Sequence, residues 1–341
     1  MWLALESSCD ESALALMTKQ GELLGEWIHS QVDRHAEYGG VVPDLAVGEH
    51  LNNFVPLLKL ASEEFDLPKM VTSIAVTRGP GLVGCLGIGI SYAKTLGLLW
   101  NVPVFGVNHL RGHAFSVFMP SFLGNHFEWQ DYVPHLGLLV SGGNTVLFSL
   151  DISLQLKVIA ETVDDAAGEA LDKGAKLLGM PYPGGAKMEE SAKDGNPKAF
   201  DFPLAFPEKN ELKFSFSGLK TSLFYELNKW TESEVELNKA DFSASYQKAV
   251  VDQLVRKTGQ VISPDCFKSF GLSGGVANNE LMRDEFGKLC QANELKFLPA
   301  EKRHTGDNAA MIAFAAISQP SGMVDNSQQS LSFLPSLRID S

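Results

Sequence analysis

The residues whose spacing most suggests chemistry are His109 and His113, in the stretch Val104-Phe-Gly-Val-Asn-His-Leu-Arg-Gly-His113. After Pro103, the apolar Val104, Phe105 and Val107 read as a short buried strand, and Asn108 is a favourable helix N-cap. A helix starting there stacks positions i and i+4 on one face, so both imidazoles can address one ion. The same spacing equally fits two partly exposed helix histidines with no ligand, and the pair alone does not decide. The metalloprotease pattern H-E-x-x-H places a general base after the first His. Here Leu110 stands in that place, which argues against a protease.

Other chemistry-bearing residues sit in short loops between apolar runs. Leu3–Leu5 and Ser12–Met17 read as strands joined by a polar turn carrying Asp10 and Glu11, an acidic pair that also suits a solvated hairpin. Leu136–Val140, the turn Ser141-Gly-Gly-Asn144 and Thr145–Leu150 repeat that layout, which points to a duplicated fold. Small residues between strands expose successive N–H groups that can cradle a phosphate. Glu169 and Asp172 lie one turn apart on the helix expected to run through Gly179. Phe270–Leu272 leads into Ser273-Gly-Gly-Val-Ala-Asn-Asn279 and a helix, a second nucleotide-friendly arrangement. His304-Thr-Gly-Asp307 precedes the apolar helix 308–318.

The elements that must position these residues belong to an ordinary globular chain of 341 residues, 45% hydrophobic and 20% charged, long enough for two domains. Four cysteines without CxxC spacing suit a reducing cytosol, and the N-terminus lacks a signal-peptide pattern. The cytoplasm is the expected location. Leu82–Val107 is nearly apolar, but Lys94 within it would cost roughly 2.5–3.5 kcal/mol to insert. Its glycines fit a buried turn, helix and strand, so no membrane is expected. Residues 29–50 read as a connector, followed by a helix over 52–61. The net charge of −13 is wrong for an autonomous nucleic-acid binder. Lys209, Lys213, Lys220 and Arg111 are the local basic spots that a nucleic acid would have to use, although each taken singly better fits a scattered surface lysine or, for Arg111, a structural arginine.

Taken together, the motifs resemble those of the universal tRNA threonylcarbamoyladenosine-forming transferases, a family once described as O-sialoglycoprotein endopeptidases. They are Glu6-Ser-Ser-Cys-Asp-Glu11, Tyr38-Gly-Gly-Val-Val-Pro43, Gly79-Pro-Gly-Leu-Val-Gly84, Asn108-His109 with His113, and Leu139-Val-Ser-Gly-Gly-Asn-Thr145. Asp164-Asp-Ala-Ala-Gly-Glu169 with Asp172, Tyr182-Pro-Gly-Gly185, Phe214–Thr221, Ser273–Val276 with Asn279, and Gly306-Asp-Asn308 follow in the family's order.

The resemblance implies an α/β, actin/Hsp70/sugar-kinase-like duplicated two-domain fold with nucleotide in the interdomain cleft. It implies metal ligands at His109, His113 and Asp307, holding one divalent ion. Two imidazoles and a carboxylate suit iron(II), and zinc(II) would also bind. Leu139, Val140, Ser141, Gly142 and Gly143 become the phosphate-side loop for an adenine nucleotide, Asp172 a ribose ligand, and Gly185 and Asn279 the frame of the nucleoside. The implied reaction moves a threonylcarbamoyl group from threonylcarbamoyl-AMP to N6 of the adenosine just 3′ of the anticodon, in tRNAs reading codons that begin with A. AMP is released, and Glu11 is the candidate proton acceptor. The implied partners are a non-catalytic paralogue and a small ATPase. The expected domains are 1–108 and 109–320, the second with a loop-rich and helical insertion over about 181–260 that includes a helix from about Ser243 to Val261, supported by Tyr246, Val250 and Leu254. The helix 308–318 is expected to pack back on the first domain, and 321–341 to be a loosely held polar tail. A kinase or a non-catalytic module on the same fold remains the alternative.

Overall fold

The computed structural model describes residues 1–122, 127–208, 211–325 and 331–341, and the chain forms two packing units. The first takes residues Met1–Phe127 and Ala300–Ser341, the second Glu128–Pro299. In the first, β1 (Trp2–Glu6), β2 (Glu11–Met17) and β3 (Leu23–Ser30) form an antiparallel meander. Then β4 (Ser73–Gly79) pairs parallel with β1, and β5 (Val104–Asn108) parallel with β4. The two-residue strand Val324–Asp325 closes the far edge against β5. Leu3, Ala4, Leu5, Ile74, Ala75 and Val76 are fully buried, as befits strands covered on both faces.

The second unit repeats this plan. An antiparallel meander of β6 (His135–Val140), β7 (Thr145–Leu150) and β8 (Leu156–Glu161) is extended by β9 (Ser269–Ser273) and β10 (Lys296–Pro299), parallel to β6 and β9. The order β5-β4-β1-β2-β3 thus recurs as β10-β9-β6-β7-β8. That recurrence is the duplication that the two strand-turn-strand stretches suggested.

Four expectations are corrected. Residues 29–50 are not a connector: β3 runs to Ser30, and a helix of 22 residues, Pro43–Glu64, begins well before residue 52. Pro43 opens it, where the missing N–H costs nothing, and Phe54, Leu57 and Ala61 bury its inner face. The division does not fall after residue 108, because the helix His109–Ser116 and residues 300–341 pack with the first sheet. Within that unit, the helix Ala309–Ser318 lies on β1, β2 and the helix His109–Ser116. The stretch 181–260 has the expected helix, here Lys239–Gly259, but it is part of the second core rather than an insertion. Its helices Gly184–Ala192, Ser217–Leu227 and Lys239–Gly259 place Met188, Leu223, Tyr246, Val250 and Leu254 in the second core, all without exposure. Finally, the tail is docked rather than loose: Leu331 and Ile339 are buried in the first unit.

Among the described residues, Val83–Trp100 is the one helix long and apolar enough to cross a membrane. Here it packs on β4 and on the helix Pro43–Glu64, burying Leu86, Ile90, Ala93 and Leu96. Its Lys94 donates to the Leu331 carbonyl at 2.7 Å.

A single carboxylate ties the Phe214 segment into the second unit. Asp164 accepts from the hydroxyls of Ser215 and Ser217, at 2.5 and 2.8 Å, and from the Phe216 amide at 2.8 Å. Burial alone would raise its pKa, but these hydrogen bonds outweigh it and hold the carboxyl below the usual aspartate value. Such a group stabilises the fold above its unfolded pKa, and the effect is lost as pH falls through the folded value. Asp164→Ala should therefore cost about 1 kcal/mol at neutral pH, a figure discounted for exposure. In urea titrations the gap between parent and variant should narrow as pH falls below the ordinary aspartate range.

Candidate functional site

The first unit gathers the predicted metal residues. Asn108 ends β5 in an extended conformation, and its Oδ1 accepts from the amides of Leu110 and Arg111, starting the helix His109–Ser116. The two imidazoles then lie with ring centres 4.8 Å apart and planes at 88°. Gly112 between them allows the helix Ala309–Ser318 to approach, since a Cβ there would lie 2.9 Å from Ile312 and 3.0 Å from Met311. Asp307 directly precedes Asn308, the N-cap of that second helix, whose Oδ1 accepts from Met311 N. Its Oδ1 thereby reaches His113 Nε2 at 3.1 Å and His109 Nε2 at 3.4 Å.

Three ligand atoms, each on a separate side chain, thus lie within 4.8 Å of one another. Behind them is a residue that sequence reasoning did not single out. Glu6, fully buried at the end of β1, accepts from His109 Nδ1 at 3.0 Å, from Thr77 Oγ1 at 2.5 Å and from the Ser8 amide at 2.6 Å. A carboxylate on the far nitrogen fixes the tautomer that leaves Nε2 available to an ion. The clue was a lone acid continuing the fully apolar run Leu3–Leu5.

Burial would lower the His109 pKa, but Asp307 and Glu6 outweigh it and push it up to about 9. Burial lowers His113, and Asp307 only partly offsets that. Burial would raise Asp307, yet the charge of His109 and the hydrogen bond from His113 bring it down to about 2. Glu11, on β2, accepts from Ser30 Oγ at 3.1 Å. Its carboxyl is pushed up to about 10 by burial and by the charges of Asp307 and Asp10.

The second unit gathers the predicted nucleotide residues. In the β6–β7 turn, Ser141 N donates to Asn144 O at 2.8 Å while Ser141 Oγ accepts from Asn144 N. Leu139 and Val140 have fully buried side chains, so only their backbone faces the turn. Gly142 and Gly143 are exposed, with open space where a Cβ would point. Gly274, by contrast, has φ +88° and lies against the Val140 carbonyl, leaving no room for a side chain. Asp172 accepts from the Gly185 amide at 2.8 Å, and burial raises its pKa despite the Gly185 and Gly184 amides. Asn279 caps the helix Glu280–Ala292 through Oδ1 and donates from Nδ2 to Gln247 at 3.0 Å, so its amide is largely engaged by the protein.

Of the basic spots, Lys213 and Lys220 are exposed, and Lys209 lies outside the described residues. Arg111 is the structural arginine of the two readings: it is buried, and its guanidinium donates to Ile339 O, Gln319 Oε1 and Ser341 O. A cation committed to three acceptors is unavailable to a nucleic acid.

The family model described as TsaD, tRNA N6-adenosine threonylcarbamoyltransferase, matches residues 22–314. A protein of that name from Moorella thermoacetica is 42% identical over 319 residues, covering 93% of this chain and 91% of the relative. Another from Thermosipho africanus is 38% identical and covers 99% of both. Among solved structures, (R)-2-hydroxyglutaryl-CoA dehydratase component A of Acidaminococcus fermentans aligns with a TM-score of 0.53 at 13% identity, covering 94% of this chain and 97% of that one. HypF from T. kodakarensis gives 0.59 at 16% identity, over 94% of this chain and 48% of that one. Likeness at such low identity establishes the fold, the actin/Hsp70/sugar-kinase-like α/β duplication.

With its pKa raised above the unfolded value, His109 contributes stability that is complete below the ordinary histidine range and lost as pH rises through about 9. Chelator-treated protein should therefore lose stability between about pH 6 and about pH 10, more steeply than His109→Ala by up to one proton. Equal slopes in denaturant titrations would refute the buried ion pair.

Proposed function

The chain belongs to the tRNA N6-adenosine threonylcarbamoyltransferase family, and on that premise we propose that it transfers threonylcarbamoyl from threonylcarbamoyl-AMP to N6 of the adenosine 3′ of the anticodon. Its substrates are tRNAs reading codons that begin with A. A bond forms between N6 and the carbamoyl carbon, the bond from that carbon to the phosphate oxygen breaks, and AMP leaves with the electron pair. One N6 proton must be taken up.

The observation that carries this reading is the convergence of His109, His113 and Asp307 across a separation of 194 residues, at the positions where the family resemblance puts its ligands. The donor set fits a divalent cation: two neutral-capable imidazoles presenting Nε2, one ionised carboxylate, and Glu6 orienting His109. Iron(II) suits it best, with zinc(II) the alternative. Such an ion supplies Lewis-acid polarisation and a template for the oxygens of the mixed anhydride. Glu11 is the carboxylate proposed to take the N6 proton. Burial beside Asp307 and Asp10 keeps it protonated at neutral pH in the ion-free site, and a cation held by His109, His113 and Asp307 would lower that proton affinity and free it as a base. In the second unit, the open amides of Gly142 and Gly143 are proposed to hold phosphate. Asp172, steadied by the Gly185 amide, is proposed to accept ribose hydroxyls, with Gly185 and Asn279 beside the nucleoside. At −13 the chain repels tRNA at long range, which favours action in a complex with a non-catalytic paralogue and a small ATPase.

Purified protein should modify tRNA from threonylcarbamoyl-AMP, with more product when the partners are added. Phosphorylation of a small acceptor without tRNA would instead mark a kinase. Asp307→Ala should lose bound metal and transfer together, and metal content equal to the parent's would remove Asp307 from the ligand set. Asp172→Ala should weaken adenine-nucleotide binding by about 1–3 kcal/mol in calorimetry. Unchanged affinity would dismiss its ribose role.

A further inference from the structure

Around the helix His109–Ser116 two grips meet from different sides. Arg111 stands two residues after His109 and two before His113, so its side chain leaves the helix on the face opposite the imidazoles. It is 8% exposed and spreads its guanidinium over Ile339 O at 3.0 Å, Ser341 O at 3.1 Å and Gln319 Oε1 at 3.2 Å. Asn108, whose Oδ1 starts the helix, donates from Nδ2 to Arg338 O at 2.7 Å. The segment so engaged is itself anchored at several points. Leu331 and Ile339 are each 2% exposed, Leu334 N donates to Arg78 O at 2.7 Å, and Gly81 N donates to Pro335 O at 3.2 Å. Gly79, with φ +146°, has no Cβ to collide with the Leu334 carbonyl.

From this arrangement we infer that Arg111 and the segment 334–341 form a positioning strap for the histidine pair, setting how His109 and His113 present Nε2 to an ion. The inference rests on reading His109, His113 and Asp307 as a metal site. The helix is only eight residues long and begins at the N-cap that the segment holds. An element so short has little rigidity of its own, since isolated helices below about 12 residues are marginal. Its orientation must come from what grips it. Asp307 and Glu6 hold the imidazole face, and the strap holds the other. Because Arg111 bonds to backbone carbonyls in a planar fork, a lysine at this position keeps the charge but loses the geometry. The strap acts through the histidines, so Arg111 is a positioning residue and not a catalytic one.

The test uses cobalt(II) as probe, whose visible absorption reports ligand geometry. Metal-free parent, Arg111→Lys, and a chain ending at Leu337 are titrated with cobalt, and each is melted without metal. The expected result is about tenfold or weaker cobalt affinity in both variants, as for lost supports behind metal ligands, with an altered spectrum and melting within a few degrees of the parent. Affinity and spectrum identical to the parent's in Arg111→Lys would overturn the inference. Collapse of the metal-free melt in both variants would also overturn it, by making the contact merely structural. A parent that takes up no cobalt would overturn the metal reading itself, a result distinguishable because it needs no variant.

Discussion

The first unit depends on a balance of buried charge. Glu6, His109, His113 and Asp307 contribute two carboxylates and two imidazoles to a region almost closed to water, and none could remain there alone. They sit on three separate pieces of chain: the end of β1, the helix after β5 that carries both histidines, and the residue before the N-cap of the helix Ala309–Ser318. Meeting the charge balance therefore fixes where those pieces lie. It explains why residues 300–341 return to the first sheet, because Asp307 completes a cluster whose other members stand at positions 6, 109 and 113. Packing follows from the same demand: Gly112 is small so that the two helices can close to the distance at which Asp307 reaches both Nε2 atoms.

Duplication gave both units the same meander, but their first turns have diverged. After β1, Ser7 and Ser8 are buried. Ser8 O accepts from Leu82 N, and Gly81 lies close against Ser8. That turn is filled by the protein and serves Glu6 and His109 through Ser8. After β6, the matching turn is open at Gly142 and Gly143 while Gly168 and Gly274 pack beneath it. One plan thus produces a closed turn that supports charged side chains and an exposed turn with open space around its two glycines. The division of labour follows from where the small residues stand.

The legibility of these features in the sequence depends on the range of the interaction. The histidine pair was visible because helical periodicity is local, and the repeated strand-turn-strand stretches revealed the duplication for the same reason. Asp307 was placed only by resemblance, since nothing in the spacing of residues 109 and 307 says they touch. Glu6 was missed because it was read as part of a polar loop, whereas it ends a buried strand. Residues 181–260 looked loop-rich because their helices are interrupted by glycines and prolines, and their burial depends on partners such as Leu138 and Leu272 elsewhere in the chain. The partners of Arg111 and the docking of the tail were not legible for a different reason. The strap is made by backbone carbonyls of residues 338, 339 and 341, and carbonyls leave no mark on side-chain type.

The engagement of Arg111 by the tail bears on how an acidic protein would hold anionic ligands. Several of its cations are turned inward: Arg111 to the tail, Arg256 to the Ala205 and Phe206 carbonyls, and Lys257 to the carbonyls of Glu208 and Glu211. Lys173 is neutralised by Asp165 and Glu169 at 2.7 and 2.9 Å. Each spends its charge on ordering chain, so none adds to a surface field. On the proposed reading, what holds an anionic ligand in the second unit must then carry no net charge, the amides of the Gly142–Gly143 turn, and in the first unit the only added charge is an ion held by His109, His113 and Asp307. Amide dipoles and a coordinated ion act over a few ångströms, whereas surface lysines steer from a Debye length of about 8 Å or more. A site of that kind discriminates by fit at close range and recruits poorly from a distance.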